Sequence, residues 1–260
     1  MDLGLKDRVY LVAASSKGLG YGVAKALAGE GARVSLCSRT QADVEAAAKT
    51  LADETGAETM ATACDVTKPA DINAWVSKTV EAWGHIDGLL VNAGGPPSMS
   101  FKDSTDEHWQ AAFELTLLSS ARMIRATIPH MTNGGAILTV TSSSIREPIP
   151  NLGLSTVMRS GVAGLVKTLA DELAPDNIRL NNLIPGRIDT DRVASLDQKV
   201  ADRLGITPEE ARANSIKRIP MGRLGTIDDF GQAGAFLLSP AASYITGATL
   251  RVDGGQMRSI

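Results

Sequence analysis

The sequence predicts an α/β fold, in which helices cover both faces of a doubly wound parallel sheet of about seven strands. Short β-rich runs alternate with longer helical stretches along nearly all of the 260 residues. Such alternation calls for right-handed crossovers and a parallel sheet buried on both faces. No linker-like or highly charged run divides the chain, so we expect a single domain over residues 1–260.

The first half of the chain supplies four strands and three crossover helices. Apolar runs predict the strands Val9–Ala13, Arg33–Cys37, Thr59–Cys64 and Gly88–Val91. Between them, helical spacing and an Ala-rich stretch predict the helices Leu19–Glu30, Asp43–Thr55 and Pro69–Trp83. The first of these helices places Val23, Ala26 and Leu27 on one face, which is the spacing of a helix packed on a sheet.

The second half continues the alternation and then interrupts it. We expect a long helical region over Asp106–Pro129 and helices over Ser155–Leu173 and Thr226–Leu238. The strands expected between and after them are Gly135–Thr141, Ile178–Ile184 and Ala248–Val252. The polar, mostly helical stretch Asp189–Arg218 (residues 189–218) follows the sixth strand. Ligands bind such sheets above the carboxyl ends of the strands, so we expect this insertion to be a substrate lid. The alternative is a peripheral insertion with no role in binding.

Composition excludes several classes of function. The chain is 43% hydrophobic and 21% charged with a formal net charge of −3, which is ordinary for a soluble protein and gives no sign of a nucleic-acid surface. No apolar run approaches the roughly 18 residues of a membrane span, and the start does not resemble a signal peptide. We therefore expect a cytoplasmic protein whose partner is a small-molecule substrate, without nucleic-acid or membrane binding.

The cysteines and histidines give no metal pattern. Cys37 and Cys64 form no CxxC pair, and His85, His108 and His130 are scattered without ligand spacing. We expect the cysteines to be small buried side chains at strand ends. We expect no essential metal.

A small-residue turn follows the first predicted strand, with the sequence AASSKGLG over Ala13–Gly20. A strand, turn and helix start in this order point free backbone N–H groups and a helix N-terminus at a phosphate. Gly18 and Gly20 permit close approach of the backbone. The spacing is not the common GxGxxG, and a tight strand–helix connection without a ligand would look similar.

The end of the second predicted strand bears on the choice of cofactor. NAD sites usually place an acid there, whereas this chain has Ser38 and then Arg39. A guanidinium can bind a 2′-phosphate in a bidentate manner, and Lys17 adds a second positive charge. We therefore expect NADP(H), with NAD(H) less favoured. The alternative is that both cations are solvated surface groups.

With these features the chain resembles the short-chain dehydrogenase/reductase family, and most closely its 3-oxoacyl-acyl-carrier-protein reductases. Two glycines of the family's TGxxxGxG turn match Gly18 and Gly20, while its threonine and first glycine fall on Ala13 and Ala14. Further matches are the adenine-contacting pair Asp65-Val66, the cleft-lining Asn92-Ala93-Gly94, Pro185-Gly186 near the nicotinamide, and the C-terminal signature Ser239–Gly255.

This resemblance implies a Rossmann-type fold and a homotetramer built on Asp106–Pro129 and Ser155–Leu173. It also completes the expected cofactor site. The residues implied there are Ser15, Ser16, Lys17, Gly18, Leu19, Gly20, Arg39, Asp65, Val66, Asn92, Ala93, Gly94, Arg159, Pro185, Gly186 and Ile188.

The chain departs from the family at the catalytic positions. The family uses Asn, Ser, and Tyr with Lys four residues later. These positions fall here on Thr116, Ser142, Ser155 and Arg159 respectively. An aliphatic hydroxyl is a far weaker acid than a phenol, whose reference pKa is about 10. A water held by Ser155, Thr116 or Arg159 would then relay the proton, and Arg159 would still hold the ribose. Alternatively, Ser142 is a turn residue and Ser155 a helix N-cap.

Three functions follow as hypotheses. The first is an NADP(H)-dependent oxidoreductase that transfers a hydride between nicotinamide and a carbonyl/alcohol substrate, with Ser142 polarising the oxygen. The second is a catalytically impaired dinucleotide-binding sensor or partner subunit. The third is a lyase or isomerase that uses the same pocket. The lid Asp189–Arg218 and the loop Gly95–Met99 are expected to shape specificity.

Overall fold

Seven parallel strands form one sheet in the computed structural model, which describes residues 2–259. The strand order is β3-β2-β1-β4-β5-β6-β7, and the order reverses between β1 and β4. The strands are β1 Val9–Val12, β2 Arg33–Ser38, β3 Thr59–Ala63, β4 Gly88–Val91, β5 Gly135–Val140, β6 Ile178–Pro185 and β7 Thr249–Val252. This confirms the predicted doubly wound sheet, and it opens a crevice at the carboxyl ends beside β1 and β4.

Helices cover both faces of the sheet, as predicted. They are α1 Gly18–Gly29, α2 Gln41–Thr55, α3 Pro69–Trp83, α4 Asp106–Ala112, α5 Ser119–Thr127, α6 Gly153–Leu173, α7 Asp191–Leu204, α8 Pro208–Ile216 and α9 Ile227–Leu238. Most predicted bounds differ from these by one or two residues. At α9, for example, Thr226 is the N-cap and its hydroxyl accepts the N–H of Asp229 at 3.0 Å.

Two hydrophobic cores lie on the two faces of the sheet. One packs β-strand residues such as Leu138 against α1, α2 and α9, and the other packs residues such as Ile137 against α3, α5 and α6. Helices α1 and α9 approach each other so closely that a Cβ on Gly22 would overlap the carbonyl oxygen of Ile227. Burial on both faces explains why the strands are short apolar runs without alternation.

The long helical region predicted over Asp106–Pro129 is not one regular helix. Helices α4 and α5 are joined by a wider π-helical turn, Phe113–Leu118. The hydroxyls of Ser119 and Ser120 donate to the carbonyl oxygens of Leu115 and Thr116 at 2.5 and 2.6 Å. These side chains supply partners for carbonyls at the widened turn, which is a form of helix that often marks functional sites.

The insertion after β6 contains two helices, as its polar helical sequence predicts. The hydroxyl of Thr190 caps α7 by accepting the N–H of Val193, and Thr207 and Glu210 form a capping box at α8. Val193, Ile219 and Leu224 form a small hydrophobic cluster beneath these helices. Within residues 2–259, no helix combines the length and apolar character needed to cross a membrane.

The two cysteines are buried where strands end, as predicted. Cys37 is the penultimate residue of β2 and Cys64 directly follows β3. Burial, and the neighbouring Cys64 thiol, raise the pKa of the Cys37 thiol well above its ordinary value. The Cys37 thiol is therefore not a ready nucleophile.

Candidate active site

The turn between β1 and α1 forms a cradle with little room for side chains. Ala14 has a φ of 49° and Gly18 a φ of 64°, both in the left-handed region. A Cβ on Gly20 would overlap the carbonyl oxygen of Ala14 and lie 3.0 Å from that of Ala13. The backbone thus folds tightly against the start of α1, where free N–H groups can bind a phosphate. This geometry fits a dinucleotide.

Ser15 is tied to the protein by both of its hydrogen-bond donors. Its side chain is fully buried, and its hydroxyl donates to the carbonyl oxygen of Val12 at 2.7 Å. Its backbone N–H donates to the carbonyl oxygen of Cys37 at 3.0 Å. Ser15 therefore shapes the turn, and its role in cofactor binding stays a prediction. The neighbouring residues Ser16 and Leu19 are only partly buried.

Arg39 lies just beyond β2, beside the end of β3. The carboxylate of Asp65 accepts hydrogen bonds from the N–H and hydroxyl of Thr67, at 3.0 and 2.8 Å. Burial acts to raise the pKa of Asp65, but these bonds and the nearby Lys68 and Arg39 charges hold it below its ordinary value. Val66, next in the chain, is buried. Asp65 and Arg39 are therefore neighbours at the edge where the adenosine end of a dinucleotide would bind.

Lys17 connects the phosphate turn to the insertion. Its ammonium forms an ion pair with Asp191 at 2.6 Å, with both side chains exposed. The methyl group of Thr190 would lie 3.8 Å from a Cβ on Gly18. The start of α7 thus lies directly over the cradle. The hydrogen bond from Lys17 lowers the pKa of Asp191 below its ordinary value.

The segments after β4 and β6 border the same crevice. The Asn92 amide donates to the carbonyl oxygens of Ala13 and Ala14, at 3.4 Å each, and so joins the end of β4 to the turn. Ala93 and Gly94 follow it. Gly186 lies so close to Asp253 that a Cβ placed on Gly186 would be 2.5 Å from the Cα of Asp253. Beyond Pro185 and Gly186, Ile188 is buried and pairs with Gly225.

Ser142 follows β5 and begins a single 3₁₀ turn, Ser143–Ile145. Its side-chain oxygen accepts the N–H of Ser144 at 3.2 Å. Ser142 is therefore a turn residue, as one of its two interpretations predicted. Accepting this bond orients the side chain and leaves the O–H of Ser142 available as a donor.

The guanidinium of Arg159 is hydrogen-bonded to the backbone at the end of β5. Its Nη1 donates to the carbonyl oxygen of Val140 at 2.7 Å, with a longer contact of 3.4 Å to that of Thr141. Burial and the nearby charge of Arg192 lower the pKa of Arg159 to about 10, so the guanidinium stays protonated at neutral pH. Its second terminal nitrogen, Nη2, points towards Gly95, where a Cβ would lie 3.9 Å away.

Ser155 does not cap helix α6, contrary to one of the two interpretations of that residue. The N-cap is Leu152, and Ser155 lies within the first turn with 8% of its surface exposed. Thr116 is also buried, in the π-helical turn, and its hydroxyl has no hydrogen-bond partner among residues 2–259. Two largely buried residues with hydroxyl side chains are therefore present, one on α6 and one on the π-helical turn that packs against α6.

The tyrosines lie elsewhere. Tyr10 is buried in β1, and its hydroxyl donates to the carbonyl oxygen of Leu238 at 3.4 Å. Burial raises the pKa of Tyr10 above its ordinary value. Tyr21 is part of α1 and Tyr244 is fully exposed after α9. None of these three positions is on α6 or beside Ser142.

Sequence reasoning missed Arg192, on the first turn of α7. A Cβ on Gly95 would lie 3.5 Å from its Nη2. In the sequence it is one of several cations in a polar stretch, so nothing marks it out. Only the fold brings it to the loop after β4.

Comparison with known proteins agrees with the fold. A family model described as "Enoyl-(Acyl carrier protein) reductase" matches residues 13–257. Human "Dehydrogenase/reductase SDR family member 4" is 37% identical over 256 residues, which cover 96% of this chain and 88% of that protein. The 3-oxoacyl-[acyl-carrier-protein] reductase of Chlamydia muridarum is 31% identical over 253 residues, covering 96% and 98%. L-sorbose reductase from Gluconobacter frateurii, solved with NADPH and L-sorbose, matches with a TM-score of 0.95 and 28% identity over 100% of both chains.

Proposed function

This chain belongs to the short-chain dehydrogenase/reductase family, and on that premise we propose that it is an NADP(H)-dependent oxidoreductase of a carbonyl/alcohol pair with atypical catalytic residues. The observation that carries the proposal is Ser142. Its hydroxyl is oriented by the N–H of Ser144 at the carboxyl end of β5, next to the helix that bears Ser155 and Arg159. An oriented donor at this position suits an oxygen on which negative charge develops.

The choice of NADP(H) rests on charge and on a relative. Arg39 lies where a 2′-phosphate would need a cation, and L-sorbose reductase of the same fold was solved with NADPH. When bound, NADPH supplies a hydride, which is one hydrogen with two electrons, to the carbonyl carbon. The cradle at Gly18 and Gly20 would hold its phosphates, and Arg39 the 2′-phosphate.

The protonation step requires a substitute for a phenol. Ser142 donates a hydrogen bond to the substrate oxygen. We propose that a water takes hydrogen bonds from the hydroxyls of Thr116 and Ser155 and passes a solvent proton to that oxygen. The unpartnered hydroxyl of Thr116 supports this role, because a buried polar group without a protein partner is commonly bonded to water. Arg159 supplies positive potential and stays protonated.

We propose a single domain with a lid over residues 189–218. The ion pair of Lys17 with Asp191 supports this, since it joins α7 to the phosphate turn. Amide hydrogen exchange of α7 and α8 should slow when NADPH and substrate are added, because lids over such clefts close on substrate. Exchange that is unchanged would favour a peripheral insertion.

A homotetramer built on α4–α5 and α6 is a further proposal. Val157, on α6, leaves 52% of its surface exposed, and Phe101 before α4 leaves 80%. Large exposed apolar side chains often mark interfaces. Light scattering should give the mass of four chains, and a monomer at micromolar concentration would refute the assembly.

The test of the function is consumption of NADPH. The protein is incubated with NADPH and a panel of ketones and aldehydes, and with NADP⁺ and the matching alcohols, while absorbance of the reduced nicotinamide is recorded. We expect turnover of at least one pair. Tight NADPH binding without any turnover would instead favour a dinucleotide-binding sensor or partner subunit. The observation that favours this second candidate is that Ser155 stands where the family has its catalytic tyrosine.

A further inference from the structure

Two guanidinium groups converge at Gly95, in the loop after β4. A Cβ placed on this glycine would lie 3.5 Å from Nη2 of Arg192 and 3.9 Å from Nη2 of Arg159. The two nitrogens are therefore separated by no more than the sum of these distances. One belongs to α6 and the other to α7, so the fold brings together like charges from two separate helices.

The carboxylates closest to Arg192 in the chain are already paired with other cations. Asp189 binds Arg212 at 2.6 Å, Asp191 binds Lys17 at 2.6 Å, and Asp197 binds Arg187. Throughout the described part of the chain, neither Arg159 nor Arg192 forms an ion pair with a carboxylate. The positive charge at Gly95 is thus left without a protein counter-charge.

An anionic ligand at this point would relieve the repulsion between the two guanidinium groups. The charge of Arg192 acts on Arg159 strongly enough to contribute to the lowered pKa of Arg159, although Arg192 itself is exposed to water. Arg159 is held there by the carbonyl oxygens of Val140 and Thr141, which fixes one guanidinium while leaving its Nη2 towards the loop. One fixed guanidinium and a second, exposed one at the same loop can bind an oxyanion together, since guanidinium donors match the geometry of carboxylates and phosphates.

The position separates this charge from the phosphate turn and from Arg39, and places it at the end of the cleft where Arg159 is also expected to hold the ribose of the cofactor. The phosphate turn follows β1 and Arg39 follows β2, whereas Arg159 is anchored at the end of β5. Strand β4 lies between β1 and β5, and Gly95 follows β4. The pair therefore lies on the side of Ser142, where the reacting carbonyl would bind, and away from the adenosine end.

We propose that the substrate carries an oxyanion, either a carboxylate or a phosphate, which binds between Nη2 of Arg159 and Nη2 of Arg192 beside Gly95. This inference rests on the proposed oxidoreductase function and specifies its substrate as an oxo acid or an oxo phosphate. Gly95 contributes by having no side chain, because a Cβ would be in van der Waals contact with both guanidinium groups and would take up room beside them.

The test measures binding and turnover separately. The full-length protein saturated with NADP⁺ is titrated by calorimetry with 2-oxo-4-phenylbutanoate, with its ethyl ester, and with inorganic phosphate. The variants are Arg192→Gln and, as a matched control, Arg203→Gln, which removes one charge from an exposed position at the other end of α7. Arg192 is itself exposed, so its replacement should not disturb folding. NADPH consumption is recorded in parallel with the acid and the ester.

We expect the parent protein to bind the acid about tenfold or more tightly than the ester, from charge-assisted hydrogen bonds. Arg192→Gln should abolish that preference, while Arg203→Gln should keep it and neither should change the affinity for NADP⁺. Phosphate that binds more tightly than the acid, and depends on Arg192, would support the phosphate form of the proposal.

Three results would overturn it. The first is that the acid and the ester bind equally or not at all. The second is that Arg192→Gln leaves the preference for the acid intact. The third is that Arg192→Gln weakens NADP⁺ binding as much as it weakens acid binding, which would assign the arginine pair to the cofactor. The two proposals fail separately. Acid binding that depends on Arg192 without NADPH consumption rejects only the oxidoreductase, and turnover of the ester without preference for the acid rejects only the oxyanion site.

Discussion

Nη1 of Arg159 donates a hydrogen bond to the carbonyl oxygen of Val140 at 2.7 Å, so helix α6 is tied to the last residue of β5. Ser142 lies two residues beyond that carbonyl, and its own side chain accepts the N–H of Ser144. A lysine at residue 159 would have a single ammonium nitrogen and could not bond the strand end while also presenting a second nitrogen to the cleft. Arg159 therefore differs from lysine in structure as well as in acidity.

The first prediction concerns Ser142. Ser142→Ala removes the donor proposed for the substrate oxygen, and kcat should fall about a hundred- to thousandfold, the usual cost of one oxyanion donor. Ser143→Ala, one residue further along the same turn, is the control and should retain activity. Full activity in Ser142→Ala would reject its catalytic role.

The second prediction concerns the proton. Ser155→Ala should lower kcat only modestly, because a water can shift within a pocket that Thr116 still lines. Initial rates on one confirmed substrate decide this. If Ser155→Ala abolishes turnover while Ser142→Ala does not, Ser155 itself transfers the proton and the water relay is wrong.

A double change tests the same site from the opposite direction. Ser155→Tyr with Arg159→Lys restores the family's Tyr and Lys, and should raise kcat on simple neutral ketones. The same change removes one guanidinium from Gly95, so it should also weaken any preference for oxo acids. Lower kcat on all substrates, with correct folding by circular dichroism, would argue against the assignment of these two positions.

The third prediction concerns cofactor choice. Arg39→Gln should weaken NADPH binding about ten- to a hundredfold, the range expected for lost charge-assisted hydrogen bonds, and should leave NADH binding unchanged. Lys49→Gln, on the exposed face of α2, removes the same charge away from the cleft and serves as the control. Calorimetry that finds equal NADPH and NADH affinities in the parent protein would contradict this account.

The fourth prediction concerns stability. Ala14 has a φ of 49°, a conformation that costs a residue with a Cβ about 1–2 kcal/mol. Ala14→Gly removes that cost but loses about 0.4–1 kcal/mol through the more flexible unfolded chain. The free energy of unfolding in urea should therefore stay equal or rise by up to about 1.6 kcal/mol. Ala13→Gly, at a fully buried position without positive φ, should destabilise the protein, and a large loss in Ala14→Gly would be unexpected.

The sheet could be predicted from sequence because strands buried on both faces leave a strong local signal. Gly88–Val91 was predicted with its observed bounds, and the other strands within about one residue at each end. The π-helical turn at Phe113–Leu118 could not be predicted, because one widened turn barely alters the spacing of apolar residues over the region. It depends on Ser119 and Ser120 bonding to specific carbonyls.

The site was less predictable because pairing across the fold decides which polar groups remain free. Ser15 looks like a phosphate contact in the sequence, yet Val12 and Cys37 take both its donors. Arg192 looks like any surface cation until Lys17, Arg187 and Arg212 are seen to occupy the neighbouring carboxylates. Only tertiary contacts carry that information.

The most direct test of the central claim is the fate of the hydrogen on the nicotinamide. The protein is incubated with NADPH deuterated at C4 and with the carbonyl panel, and the alcohols formed are examined by mass spectrometry. The account predicts one deuterium on the former carbonyl carbon, and about a hundred- to thousandfold less deuterated alcohol per unit time from Ser142→Ala. Tight binding of the labelled cofactor with no deuterated alcohol from any carbonyl would contradict it.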